Sequence, residues 1–538
     1  MKELLLGNEA LAQGAIDAGI SGVYGYPGTP STEIIEYIQR SKTAIEQDIH
    51  SKWSVNEKTA MEAALGMSYA GKRVMTVMKH VGLNVAADVF MNMSVSGING
   101  GFVVVVADDP SMHSSQNEQD SRYYGKFAMV PMLEPSNQQE TYEITKYAFD
   151  LSEKLKLPVL LRMVTRLSHS RAGIFTGGSK KQNSIHLSEN PTQFQLIPMH
   201  ARNRYKHLVE LQSELLEISE KSGFNELIKG SDTSIGIIAS GIAFNYLMEN
   251  FEETNCPYPI LKISQYPLPK KAIKYLFDTC DKILVLEDGY PFIEEMISDF
   301  LGENRKVLGR LSGDVPRVGE LNPDNIAKAL GFDVIIAENL PKVVAGRPPE
   351  LCVGCGHRDL FDVINELSKE SSSQQVFGDI GCSALGVLSP YTTVNTLIEM
   401  GASITMAKGA ADAGIHPAIA IIGDSTFTHS GMTGLLDAII EKTPITVIIS
   451  DNSAIAMTGA QDSSASGRLV DICRGLGVEE EHLRVLTPLH KNFRENLDFV
   501  RREINYQGVS VIISQRPCVQ LPKEKKDKLN ELKKASIK

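Results

Sequence analysis

The sequence predicts an α/β protein of three domains, each a doubly wound, mainly parallel sheet. Two observations carry that expectation. Short runs rich in β-branched residues alternate with longer helical patterns, and the runs are apolar throughout, as strands covered on both faces are. The 538 residues, 42% hydrophobic and 22% charged, suffice for about three ordinary cores and exclude a disordered or fibrous chain.

Strands are expected at Gly22 to Tyr26, Arg73 to Met78, Gly101 to Ala107 and Pro158 to Val164. Helical patterns at Glu9 to Ala18, Ser31 to Arg40, Val81 to Val95 and Gln138 to Leu155 separate them and complete a first domain over 1–170. From His169 to about Gly230 the periodicity weakens, with Gly177, Gly178, Pro191 and Pro198 before a polar helical stretch, and the segment reads as a linker. Alternation resumes at Ser234 to Ala239, Ile260 to Ser264 and Lys282 to Glu287, giving a second, smaller domain within 171–340. A Pro-rich boundary, Pro341 to Pro349, precedes a third domain over 341–522 with strands at Gln375 to Asp379, Ala418 to Gly423, Ile445 to Ser450 and Val509 to Ser514. The last stretch, 523–538, is a lysine-rich tail.

A net charge of −11 argues against a nucleic-acid binder. No apolar run is long enough to span a bilayer, and the N-terminus lacks the apolar core of a secretory signal. Seven cysteines in so long a chain are too few for a disulfide scaffold and read as reduced thiols or metal ligands in a cytoplasmic protein.

Two motifs carry chemistry. In the first, the apolar run Ala418 to Ile422 ends in Gly423-Asp424-Ser425, and the next strand ends in Asp451-Asn452-Ser453-Ala454. Ligands of open α/β sheets gather at carboxyl ends of strands, and one carboxylate plus one amide oxygen suit a Mg²⁺ that keeps phosphate oxygens as further ligands. The alternative is an ordinary turn and helix cap. In the second, Cys352-Val-Gly-Cys355-Gly-His357 is followed by Cys382 and Cys518. Four thiolates complete structural zinc or a [4Fe-4S] cluster; zinc through Cys352, Cys355 and His357 is also open, as are Cys382 and Cys518 as small buried apolar groups.

Further segments share a pattern: Gly25-Tyr-Pro-Gly-Thr29-Pro-Ser-Thr-Glu33, Asn56-Glu57-Lys58, Lys79-His80-Val-Gly-Leu-Asn84, Ala107-Asp-Asp-Pro110 and His113 to Arg122. With these, the chain resembles large subunits of the 2-oxoacid:ferredoxin oxidoreductase family, of the indolepyruvate type, over essentially its whole length. The resemblance implies a thiamine diphosphate-binding fold pair plus a transketolase C-terminal-like domain. It implies that the first domain binds the aminopyrimidine of thiamine diphosphate and the third its diphosphate, with Mg²⁺ on Asp424, Asn452 and the Ala454 carbonyl beside Gly423 and Ser425.

The same resemblance implies one [4Fe-4S] cluster held by Cys352, Cys355, Cys382 and Cys518, with His357 near the diphosphate. Glu57 corresponds to the glutamate that shares a proton with the pyrimidine ring and so promotes the tautomer that deprotonates the thiazolium carbon. Arg122 falls where the pattern holds a 2-oxoacid carboxylate, the alternative being a surface arginine. Thr29, before Pro30 at an expected helix start, is read as either a simple N-cap or a substrate contact.

The implied reaction is oxidative decarboxylation of an arylpyruvate with CoA, electrons passing through the cluster to ferredoxin. Implied partners are a small subunit, in a dimer of heterodimers, and an electron carrier. Large subunits of the family commonly continue into a ferredoxin-like domain with two further cysteine runs, whereas the residues after Cys518 hold no cysteine. Electrons are therefore expected to leave the cluster directly for a partner or a separate small subunit. The rival readings are a non-redox thiamine diphosphate decarboxylase or carboligase, which has no need of four cysteines, and a catalytically silent scaffold subunit.

Overall fold

The computed structural model describes residues 2–252, 255–298, 306–334, 343–346, 348–371 and 374–523. The chain forms two compact units, Met1–Glu338 and Asn339–Lys538. The lysine-rich tail from 524 on lies outside the described residues, as do parts of the Pro-rich boundary.

The first unit contains two mainly parallel sheets. The larger runs in the order Gln265–Tyr266, Met132–Leu133, Val159–Val164, Phe102–Asp108, Val74–Lys79, Gly22–Gly25, His50–Trp53. Only the first pair is antiparallel. Phe102–Asp108 is buried at all its positions, because strands bond to both its edges and helices His80–Ser96 and Gln138–Leu155 pack on it. The second sheet runs Val307–Leu308, Lys282–Leu286, Ile235–Ser240, Ile260–Ile263, Glu226–Ile228, with only the last pair antiparallel.

The second unit is built on a six-stranded, wholly parallel sheet in the order Thr396–Leu397, Gln375–Gly378, Ala418–Gly423, Ile445–Asp451, Ser510–Gln515, Leu483–Leu486. Its sheet packs into two apolar layers, one around Phe377, Ile422 and Ile449 and the other around Phe361, Ile421 and Ile448. Among the described residues no helix is long and apolar enough to cross a membrane.

The α/β class is as expected, and the strands sit within a residue or so of their sequence positions. The supposed linker differs. It supplies strand Arg171–Phe175, paired antiparallel with Lys2–Leu6, and helix Pro198–Glu220, whose Ser219 hydroxyl donates to the Gln265 carbonyl at 3.1 Å. Gln265–Tyr266, from the segment assigned to the second domain, adds an edge strand to the first domain's sheet. The helix contains most of the expected polar helical stretch and begins earlier, while the strand was not expected; most of the helix stays partly or fully exposed, and only Leu208, Leu215 and Ser219 are buried.

Candidate active site

Four adjacent parallel strands of the second unit end at one edge of their sheet, and that topology assembles the site. Cys382 follows Gln375–Gly378, Asp424 follows Ala418–Gly423, Asn452 follows Ile445–Asp451, and Cys518 follows Ser510–Gln515. Residues remote in sequence meet because parallel neighbours deliver their carboxyl ends to the same place.

The four cysteines line one cavity of about 260 Å³ together with His357 and Asn452. Cys352 and Cys355 lie on a turn in which the Cys355 N–H donates to the Cys352 carbonyl at 3.1 Å. Gly354 makes this turn possible by adopting φ +77°, which side-chain-bearing residues avoid. Cys355 then caps helix Gly356–Ser368. The His357 Nδ1 lies 3.4 Å from the Cys355 sulfur, and burial pushes its imidazole down to about 4, so the ring is neutral near pH 7. His357 thus lies against a cysteine in the cavity that Asn452 also lines.

Among the described residues no three His, Cys, Asp or Glu side chains are drawn together as a finished metal-binding group. The sulfurs are nonetheless close enough to feel one another. Burial above all, and then the other three thiols and Asp424, push the Cys382 thiol up to about 12, and burial raises Cys355 too. A cation stabilises the thiolate of a buried cysteine, so the donor set suits a cationic centre such as zinc or an iron–sulfur cluster.

The carboxylate side of the site makes the same demand. Asp424 is 2% exposed, and its Oδ2 has no hydrogen-bond partner. Burial, followed by the charge of Asp451, pushes its carboxyl up to about 8. A buried carboxylate oxygen facing a second carboxylate is stabilised by a bound cation. The Asn452 Oδ1 accepts from the Ala454 N–H at 2.9 Å, so the amide is held in a turn at the strand end. Ser425 is buried beside Asp424, while the Thr426 hydroxyl donates to the Ile380 carbonyl at 3.1 Å and ties this loop to the one bearing Cys382. The residues present therefore fit a metal-bound diphosphate.

In the first unit, Glu57 opens helix Glu57–Tyr69 behind the Asn56 cap and is 6% exposed. Gly82 admits it: a Cβ there would lie 2.6 Å from Glu57 Oε1. Thr29 is not a helix cap, because the helix begins at Thr32 with Ser31 in the cap position. Thr29 lies in the preceding loop, where its carbonyl accepts from the Ser114 hydroxyl at 3.4 Å.

Arg122 differs most from expectation. It is fully buried and engaged by Asp120, by Glu287 at 2.9 Å and by the Tyr290 carbonyl at 3.0 Å. It belongs to a network with Arg162 and Arg310 in which Asp108, Asp120, Glu134, Glu287 and Asp288 each face a guanidinium. Its donors are committed to these partners. The residue type in a loop motif carries no signal of this burial. Asp451 was the missed member of the site; its signal was a second acid after a buried strand.

Comparison with known proteins agrees with this geometry. The signature described as pyruvate flavodoxin/ferredoxin oxidoreductase, thiamine diphosphate-binding, matches residues 13–204. That of the thiamine pyrophosphate enzyme C-terminal TPP-binding domain matches 379–512. Indolepyruvate oxidoreductase subunit IorA of Archaeoglobus fulgidus is 40% identical over 96% of this chain and 86% of its own length. The subunit of the same name from Methanothermobacter thermautotrophicus is 36% identical over 96% and 87%. A 2-oxoglutarate synthase subunit KorA from Methanocaldococcus jannaschii is 30% identical over 31% of this chain and 47% of its own. This chain, with thiamine diphosphate-binding signatures in both of its compact units, belongs to the IorA family of indolepyruvate oxidoreductase subunits, among the 2-oxoacid:ferredoxin oxidoreductases.

Proposed function

We propose that this subunit carries thiamine diphosphate, Mg²⁺ and one [4Fe-4S] cluster in an enzyme that converts an arylpyruvate and CoA to arylacetyl-CoA and CO₂. Two electrons leave one at a time for ferredoxin or another low-potential carrier. The observation that carries the reading is the single cavity shared by four cysteines and Asn452, at the sheet edge where Asp424 leaves a buried oxygen unpartnered. Thiamine diphosphate supplies the electron sink for loss of CO₂, and an iron–sulfur cluster takes electrons singly.

The chain's own residues hold and orient these groups. Asp424 Oδ2, the Asn452 amide oxygen and the Ala454 carbonyl are the oxygens offered to Mg²⁺, with Gly423 and Ser425 beside the diphosphate. Cys352, Cys355, Cys382 and Cys518 are the cluster ligands. Glu57, recessed behind Gly82, keeps a carboxyl out of water where it can hold a proton on the pyrimidine ring. A small subunit completes the enzyme, as a dimer of heterodimers in the cytoplasm, and the arylpyruvate preference follows the names of the relatives.

The test is the complex co-expressed with its small subunit and purified without oxygen. Adding indolepyruvate to enzyme with thiamine diphosphate, Mg²⁺ and CoA bleaches the visible absorption, and with a one-electron acceptor such as ferredoxin also present it forms an acyl-CoA. Glu57→Gln lowers turnover by about 10²- to 10⁴-fold with the absorption spectrum unchanged. Decarboxylation without bleaching would indicate a non-redox decarboxylase, and an unchanged rate in Glu57→Gln would remove Glu57 from the reaction.

A further inference from the structure

The reaction as proposed gives no task to Gln515 or Asp451, yet these two residues join the halves of the site. Strands Ile445–Asp451 and Ser510–Gln515 run parallel, and their last paired residues are Asp451 and Gln515. Beyond that pair one chain enters the loop with Asn452 and Ala454, and the other leads to Cys518. The two remain tied. The Gln515 Nε2 donates to Asp451 Oδ2 at 2.6 Å, the Arg516 N–H to the Asp451 carbonyl at 3.0 Å, and the Cys518 N–H to the Asn452 carbonyl at 2.9 Å.

The other oxygen of Asp451 accepts from the Ser453 N–H at 3.1 Å and the Ser453 hydroxyl at 3.2 Å. These bonds support Ser453 at φ +60°, the turn from which Ala454 donates back to Asn452. One carboxylate, 2% exposed, therefore fixes the turn with one oxygen and the neighbouring strand end with the other. In a buried setting such a charge-assisted bond is stronger than at the surface, and breaking it leaves a charge without its donor.

We propose that Asp451 and Gln515 are a positioning clasp that holds the Asn452–Ala454 loop and the Cys518 segment as one piece, so that binding of diphosphate and metal on one side alters the environment of Cys518 on the other. This rests on the function proposed above. Energetic coupling of this kind is reciprocal: what the cofactor does to the cluster, the state of the cluster does to cofactor affinity.

The experiment uses the co-expressed complex, anaerobic, with and without thiamine diphosphate and Mg²⁺. Cluster paramagnetic resonance and midpoint potential are followed in the wild type, Gln515→Leu and Gln515→Glu, with thiamine diphosphate binding measured by equilibrium dialysis. The expected result is a wild-type cluster spectrum and potential that shift when the cofactor is added. In Gln515→Leu, at unchanged iron content, the shift disappears and the dissociation constant rises about tenfold, the scale of losses when an outer-shell partner is removed. Gln515→Glu, which sets carboxylate against carboxylate, has the larger effect. A wild-type cluster indifferent to the cofactor overturns the clasp, as does a Gln515→Leu variant that behaves like wild type. If the variants do not assemble, the wild-type comparison decides. A wild-type complex without iron overturns the cluster assignment and the clasp with it, a result distinguishable from an iron-loaded complex that shows no coupling.

Discussion

Two regions of this molecule bury many ionisable groups, and they solve the problem oppositely. In the first unit, Arg122, Arg162 and Arg310 meet five acids, each paired with a guanidinium. At the sheet edge of the second unit, Asp424 has an oxygen without a partner and, among the described residues, the Asp451 carboxylate bonds to the neutral Ser453 and Gln515. Beside them stand four cysteines, of which Cys382 has its thiol pushed up to about 12 by burial and then by its neighbours. The difference separates architecture from chemistry. A buried ionic cluster that supplies its own cations holds elements together, whereas one that lacks them is built for a cation from outside.

Substitutions that unbalance the first region or relieve the second test that contrast. The largest effect on stability is expected from Arg162→Leu, which strands Asp108 without a counter-charge and leaves Asp120 and Glu134 to Arg122 alone. It should cost about 3–5 kcal/mol in denaturant unfolding; a loss within experimental error would show that the network does not hold the first unit together. Asp424→Asn should behave oppositely, leaving the cofactor-free protein as stable or more so while weakening Mg²⁺-dependent thiamine diphosphate binding by at least about tenfold. A cofactor-free Asp424→Asn protein that melts far below wild type would mean that the acid is paired after all.

The same acid sets a pH dependence. Its folded-state value of about 8 lies above the ordinary 3.8, so between those values the folded protein binds the proton more tightly than the unfolded one. Stability of the cofactor-free protein should therefore fall as pH rises from about 4 to about 8 and level off above. Glu287, raised to about 7, and Asp288, raised to about 6, slope the same way. Asp424→Asn should flatten the part of the curve nearest pH 8, and saturating Mg²⁺ with thiamine diphosphate should do likewise in the wild type. The smallest effect is expected from Tyr266→Phe, which removes a hydroxyl donated to Glu134 at 2.6 Å and should cost about 1 kcal/mol. A change several times larger would place that tyrosine among the network's essential members.

Much of this was legible in the sequence for a physical reason. Strands such as Phe102–Asp108 and Ala418–Gly423 are covered on both faces, so their composition announces them. Cys382, Asp424, Asn452 and Cys518 stand just after such strands, and the strand-end rule brings them together. Other features depend on tertiary context. Helix Pro198–Glu220 shows a weak period because little of it is buried, and the pairing of Lys2–Leu6 with Arg171–Phe175 joins segments too distant for any local pattern. Of the two readings of Thr29, the N-cap falls because Pro30 suggested a helix start that comes only at Thr32. The burial of Arg122 could not be read in advance, because an arginine is as suited to a buried network as to an anion. The need for glycine at 82 is tertiary, set by Glu57 packed against it.

The central claim is that the four thiols around one cavity exist to hold iron. The most direct test is iron and zinc analysis of the anaerobically purified complex, wild type beside Cys518→Ser. The account predicts about four irons and no zinc per chain, falling sharply in the variant along with the visible absorption. Zinc in place of iron, no metal at all, or full iron retained in Cys518→Ser would contradict it.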